Sequence, residues 1–154
     1  MKKIILFLII LAVGLFLILK KDKKEETPVL ETGASGQFAK LSEDTIVVLE
    51  QLPGDVVYIN AVNFSDNGFV IIKKDDGGAS GKIIGVSEFL VKGSYSNIDV
   101  STTESMSSGL SYYGYTYIDN GDGIFDPKTD KEKMFMSFMV NKDAQDPRTI
   151  QINY

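Results

Sequence analysis

The chain has 154 residues, 16 of them basic and 21 acidic, and contains no Cys, His or Trp. Without Cys there is no disulfide, thiolate nucleophile, cysteine-linked lipid or thiolate metal site; without His there is no Ser-His-Asp triad and no usual zinc or copper ligand set. The length suits one modest domain with an appendage.

The charge is divided along the chain. Residues 1–24 carry six lysines against Asp22 alone, a net +5, whereas the other 130 residues carry 10 basic and 20 acidic side chains, a net −10. A body of that sign is poorly matched to phosphate, so nucleic acid is not an expected partner; the basic first segment is matched to membrane lipid.

Ile4 to Leu19 reads IILFLIILAVGLFLIL, uncharged throughout. As a helix it spans about 24 Å, short of the ~30 Å hydrocarbon layer, and Lys2, Lys3, Lys20 and Lys21 can snorkel across the difference. A cleaved secretory signal would need small residues just past this core. Leu19 instead runs straight into Lys20-Lys21-Asp22-Lys23-Lys24, and Ala12 and Gly14 lie too deep. Residues 1–24 are therefore read as a single-pass transmembrane helix, a signal-anchor. The lysine count alone favours a cytoplasmic body. The cysteine-free, acidic, Ser/Gly/Thr/Tyr-rich composition of the body favours an extracellular one, which is the orientation expected here. Residues 25–40, with Pro28, Gly33 and Gly36 and no sustained apolar period, read as a flexible linker.

Residues 41–154 read as an all-β domain: short apolar runs broken by turn residues. The expected strands are Thr45–Glu50, Val56–Phe64, Phe69–Lys73, Lys82–Val86, Asn97–Thr102, Leu110–Ile118, Phe135–Asn141 and Thr149–Asn153. The turns between them include Pro53-Gly54, Ser65-Asp66-Asn67-Gly68 and Asp75-Asp76-Gly77-Gly78. Val86–Leu90 has room for one helical turn at most. Eight short strands with turns roughly every 8–12 residues predict an immunoglobulin-like two-sheet β-sandwich, with a closed β-barrel as the alternative.

The blocks Gly68-Phe69-Val70-Ile71-Ile72-Lys73, Ile84-Gly85-Val86-Ser87-Glu88-Phe89-Leu90, Lys92-Gly93-Ser94-Tyr95 and Asn97-Ile98-Asp99-Val100, followed by Leu110 to Asp126, form one ordered pattern. It resembles an uncharacterised domain family of archaeal and bacterial secreted or membrane-anchored surface proteins, over about Val56 to Val140. The resemblance implies a surface location and no defined activity. Histidines of that family are replaced here by Lys73 and Tyr95, so no His-based site carries over.

The glycines read as fold punctuation. Gly68 is expected to supply positive φ at a turn, Gly85 a bulge or close crossing, and Gly93 a tight loop. The stretch Asp76 to Lys82 has the look of a phosphate loop, but it lies in a polar hairpin with no helix after it. Tyr113, Tyr115 and Tyr117 share one strand face and Tyr112, Gly114 and Thr116 the other; either could be buried between sheets, and an exposed row would suit a sugar or protein surface. Met134 and Met136 with Phe138 lie on one face and Met139 with Phe135 on the other, so the three methionines cannot converge on one soft metal ion and read as packing.

The remaining candidate site is the loop from Asp119 to Asp130. Asp119, Asn120, Asp122, Asp126 and Asp130 place four carboxylates and one amide within twelve residues, and glycines at 121 and 123 allow tight bends. Such a set predicts a structural calcium site. It resembles Asp-x-Asn-x-Asp-Gly calcium loops incompletely. With Asn120 and Asp122 in the third and fifth ligand positions, the first falls on Ile118 and the twelfth on Thr129. Asp119 must then serve from another frame, and Asp130 in place of the missing Glu. The competing reading is a solvated acidic turn balanced by Lys128, Lys131 and Lys133.

These readings sum to a non-catalytic, membrane-anchored surface module of the cell envelope, for structure or adhesion, with a cell-surface protein or glycan as partner. The alternatives are a small carboxylate-based hydrolase and a cytoplasm-facing scaffold.

Overall fold

The computed structural model describes residues 41–150 and 152; the expected anchor (1–24) and linker (25–40) lie outside the described residues. Among the described residues no helix is long and apolar enough to cross a membrane. The described residues form seven successive strands: β1 (Thr45–Val47), β2 (Gly54–Phe64), β3 (Gly68–Asp76), β4 (Ala79–Val86), β5 (Gly93–Met106), β6 (Ser111–Ile118) and β7 (Lys131–Met139). The domain is all-β, as its alternating runs predict.

The strands form one sheet in the order β1-β2-β5-β4-β3-β6-β7, every neighbouring pair antiparallel. It curls until its edges nearly meet, so features of both expected architectures are present. β1-β2-β5 make one half and β4-β3-β6-β7 the other. The halves join at β4–β5 through the single pair Gly85↔Thr102. On the far side the chain leaves β1, crosses over and binds β7 in parallel: Gln51 N–H donates to the Met139 carbonyl (2.9 Å), and Asn141 N–H donates to the Gln51 carbonyl (2.9 Å). The Gln51 side chain braces the crossing. It donates to the carbonyls of Leu49 (2.8 Å) and Tyr58 (3.1 Å) and accepts from Tyr58 N–H (2.9 Å).

Between the halves lies one continuous core that includes Ile59, Phe64, Val70, Ile72, Val100 and Phe138. At the start of β6 the buried Tyr112 stacks on Phe138, centroids 5.9 Å apart, and its phenol oxygen accepts the Ser107 N–H (3.0 Å). A tyrosine opening a strand and bonding to the backbone just upstream pins the β5–β6 corner, a device recurrent in immunoglobulin-like sandwiches.

The turn after β2, the β4–β5 loop and the β6–β7 loop gather at one end around Asn67 and Gly68. The Asn67 carbonyl accepts Asp119 N–H (2.9 Å), its side-chain oxygen accepts Lys92 N–H (2.9 Å), and Gly68 and Leu90 exchange backbone bonds of 2.8 and 2.9 Å. The described chain enters at this same end, where Asn63 Nδ2 donates to the carbonyls of Leu41 and Ser42 (3.1 Å each).

Two local expectations, those for Gly68 and the eighth strand, change, and the upper limit set for Val86–Leu90 is not reached. Gly68 is required by close approach and not by positive φ: a Cβ there would lie 2.0 Å from the Tyr117 carbonyl oxygen. Val86–Leu90 forms no helical turn, because Leu90 is drawn into the bridge with Gly68. The expected eighth strand begins instead in a short 3-10 turn, Pro147–Thr149; Pro147 fixes φ at its first position and the Asp146 carboxylate caps Arg148 N–H. Residues 151, 153 and 154 lie outside the description. That turn lies against β2, with Asn60 Nδ2 donating to the Pro147 carbonyl (3.2 Å). The Gly85 expectation is met: the β3–β4 register shifts beside it, and a Cβ there would lie 3.0 Å from the Ser101 carbonyl oxygen.

Candidate functional site

The outer side of β3, β6 and β7 carries the Tyr113-Tyr115-Tyr117 row. Antiparallel register sets Phe69 against Tyr117, Ile71 against Tyr115 and Lys73 against Tyr113. Across β7, Phe135 faces Tyr115 with centroids 5.3 Å apart. Phe69, Ile71, Tyr115 and Tyr117 are buried and form a second apolar cluster, outside the sheet. Its cover comes partly from the loops, through Phe89 and Phe125, whose rings stand 5.5 and 5.7 Å from Phe69. Thus Tyr112, Gly114 and Thr116 face the main core, and the tyrosine row faces outward. Phe135 remains 55 % exposed.

Lys73 stands within this cluster. Its ammonium lies 4.1 Å from the centre of the Tyr115 ring, donates to the Tyr117 hydroxyl (2.8 Å) and pairs with Glu132 Oε2 (3.2 Å); the Tyr117 hydroxyl donates onward to Glu132 (2.5 Å). Burial works against the charge on Lys73, but the bonds to Tyr117 and Glu132 outweigh it and raise its pKa. Burial and the Glu132 carboxylate likewise raise that of the Tyr117 phenol, against the opposing pull of Lys73. A nucleophilic lysine requires the opposite shift. This trio therefore ties β3, β6 and β7 together as a brace, and the lysine stays charged. The trio went unread in the sequence. The available signal was a lysine continuing the apolar run Phe69 to Ile72.

The candidate calcium residues all lie in the β6–β7 loop, and their oxygens are turned toward the loop's own amides. Asp119 accepts the N–H groups of Gly121 (3.0 Å) and Gly123 (3.1 Å), and Asn120 accepts Asp122 N–H (3.0 Å). Asp122 accepts Ile124 N–H (2.9 Å), and Asp126 accepts Lys128 N–H (2.9 Å). Asp130 is buried and closes the loop, its two oxygens taking the N–H groups of Asn120 (3.1 Å) and Asp126 (3.0 Å). Among the described residues, no three acidic side chains are grouped so as to hold one metal ion.

The methionines divide as expected. Phe135 and Tyr115 pair on the outside, while Met136 turns toward the crossing segment, its sulfur accepting Val48 N–H (3.4 Å). At the opposite end of the body, Lys74, Asp75, Gly77, Leu110, Ser111 and Tyr112 line an open pocket of about 230 Å³. Its lysine is already held by Glu104, whose pKa the hydrogen bonds from Lys74 and Lys82 draw down to about 2.

Comparison with known proteins places residues 45–145 in a family described as Domain of unknown function (DUF7282), and the chain belongs to that family. No curated protein and no solved structure matches it.

Proposed function

We propose that this member of the DUF7282 family is a non-catalytic, immunoglobulin-like module held on the outer side of the cell membrane by residues 1–24. In this reading it serves envelope structure or adhesion, with a cell-surface protein or glycan as partner. The observation that carries the reading is how the buried polar side chains are used. Gln51 fixes the crossing, Asn63 holds the entering chain, Lys73 braces three strands and Asp130 closes a loop. Such a body is suited to presenting a surface. The three-plus-four strand grouping and the Tyr112 corner support the immunoglobulin-like assignment. Fractionation with proteolysis of intact cells tests the proposal. The full chain should sediment with membranes and its body should be cut from outside. Protection until lysis would favour the cytoplasm-facing scaffold, and a shortened chain released with its amino terminus near Glu31 would overturn the anchor.

A structural calcium ion in the Asp119–Asp130 loop is the second reading. What favours it is that Asp119, Asp122 and Asp126 share one tightly folded loop rich in acceptor oxygens. Each carboxylate oxygen has two lone pairs, so an ion can be taken alongside the amide bonds, with a weak affinity of about 10⁻⁴ to 10⁻³ M expected. Calorimetry should register heat and a raised melting temperature at millimolar calcium. The response should be lost in Asp122→Ala and Asp126→Ala; no heat, or no effect of the substitutions, leaves the solvated turn.

A further inference from the structure

The loops at the end where the described chain enters expose three large apolar side chains: Phe89 (40 % exposed), Val91 (57 %) and Ile124 (70 %). They come from two loops, and both loops are held in place. Leu90 is bonded to Gly68, Lys92 N–H to Asn67, and the neighbouring Phe125 is packed on Phe69 and Tyr117. Apolar side chains held at the tips of fixed loops are costly to leave in water.

We infer that this end of the body, through Phe89, Val91 and Ile124, rests on the membrane surface. The inference builds on the anchor reading above. The place where the chain leaves the body and the distance it can reach select lipid as the occupant. The described chain begins at Leu41 on this end, so the sequence leading back to the apolar run Ile4–Leu19 departs from here. On the linker reading, the intervening stretch of about 20 residues has a root-mean-square reach of only about 25 Å, which would keep the loops at high effective concentration near the bilayer. The charge around the tips then selects the lipid. Asp66, Glu88, Asp119, Asp122 and Asp126 outnumber Lys92 and Lys128, so the surface suits zwitterionic headgroups and is repelled by anionic ones. Side chains of this kind enter the headgroup–acyl boundary and do not span it.

The chain has no cysteine, so single labels report without interference. Val91→Cys and Ile124→Cys, with Ser107→Cys at the opposite end as reference, are labelled with a fluorophore in the full chain. Each is then reconstituted in phosphatidylcholine vesicles containing a nitroxide-lipid quencher. Quenching at positions 91 and 124 should exceed that at 107 at least about twofold and should fall when a third of the lipid is phosphatidylserine. Equal quenching at all three positions overturns the proposal, as does contact at 124 traced by crosslinking to a second copy. A chain that washes off the vesicles fails the anchor reading together with this one; a chain that stays, with its three labels alike, fails this one alone.

Discussion

The two sides of β6 are buried to nearly the same degree by different means. Inward, Tyr112, Gly114 and Thr116 meet the facing half of the domain. Gly114 matters there because a Cβ would lie 3.1 Å from Val48 and 3.2 Å from Ile46, side chains of the segment that closes the sheet. Outward, Tyr115 and Tyr117 are each only 4 % exposed, yet their cover is an edge-strand phenylalanine, the loop residue Phe125 and a lysine. The inner side is matched strand against strand, whereas the outer side depends on separate side chains that can each be removed. Equal burial thus conceals unequal tolerance to change.

The largest contrast should come from truncating each side. Ile72→Ala, in the inner core, is expected to cost about 2–5 kcal/mol by loss of burial and cavity formation. Phe135→Ala, outside and half exposed, is expected to cost about 1 kcal/mol or less. Urea unfolding measures both, and similar costs would erase the distinction. Next in size is Tyr112→Phe. It keeps the ring and removes the acceptor for Ser107 N–H, with an expected loss of about 1–2 kcal/mol. Tyr113→Phe on the opposite side should be close to neutral, which sharpens the comparison at adjacent positions.

A small effect at neutral pH, but the most diagnostic one, is expected for Lys73→Met. It replaces the buried ammonium with an apolar chain, and the net change should be within about 1 kcal/mol because relief of desolvation offsets the lost pair. Its signature is the pH dependence. The folded-state pKa of Lys73 is raised above 10.5, so its contribution is complete below that value and lost as pH rises through the folded value. The phenol of Tyr117, raised above 10.0, acts in the same direction. Thermal melts should therefore show the wild type losing stability in this alkaline range, and Lys73→Met losing less. Parallel alkaline curves would show that the brace contributes nothing.

Much of the strand order was legible because alternation and turn residues are local signals. Six of the expected runs overlap strands at both their cores and their turns, and Thr45–Glu50 contains β1. Boundaries moved where side chains face water. β5 extends from Gly93 to Met106 through Ser, Thr and Glu, and β7 begins at Lys131, because backbone pairing continues where apolar patterning stops. The start of the eighth run was misread because TIQIN alternates like a strand, while Pro147 and Asp146 just before it favour a turn; residues 151 and 153 lie outside the described residues. At the site, the acidic loop was visible as composition. The direction of its carboxylates, toward neighbouring amides, depends on three-dimensional folding. The Lys73 trio joins residues 44 and 59 positions apart, beyond any local pattern.

The crossing at Val48–Gln51 also determines how the domain carries load. Tension arriving through Leu41 pulls β1 along its own axis, while its rungs to β2 run across that axis. Further along, the Gln51 bonds to Met139 and Asn141 resist the same displacement from the other half of the sheet. These bonds are sheared together and do not peel one by one, so the first three-residue strand is protected by a crossing beyond its end. A short strand that would unzip readily from a simple edge becomes, in this arrangement, a mechanical latch.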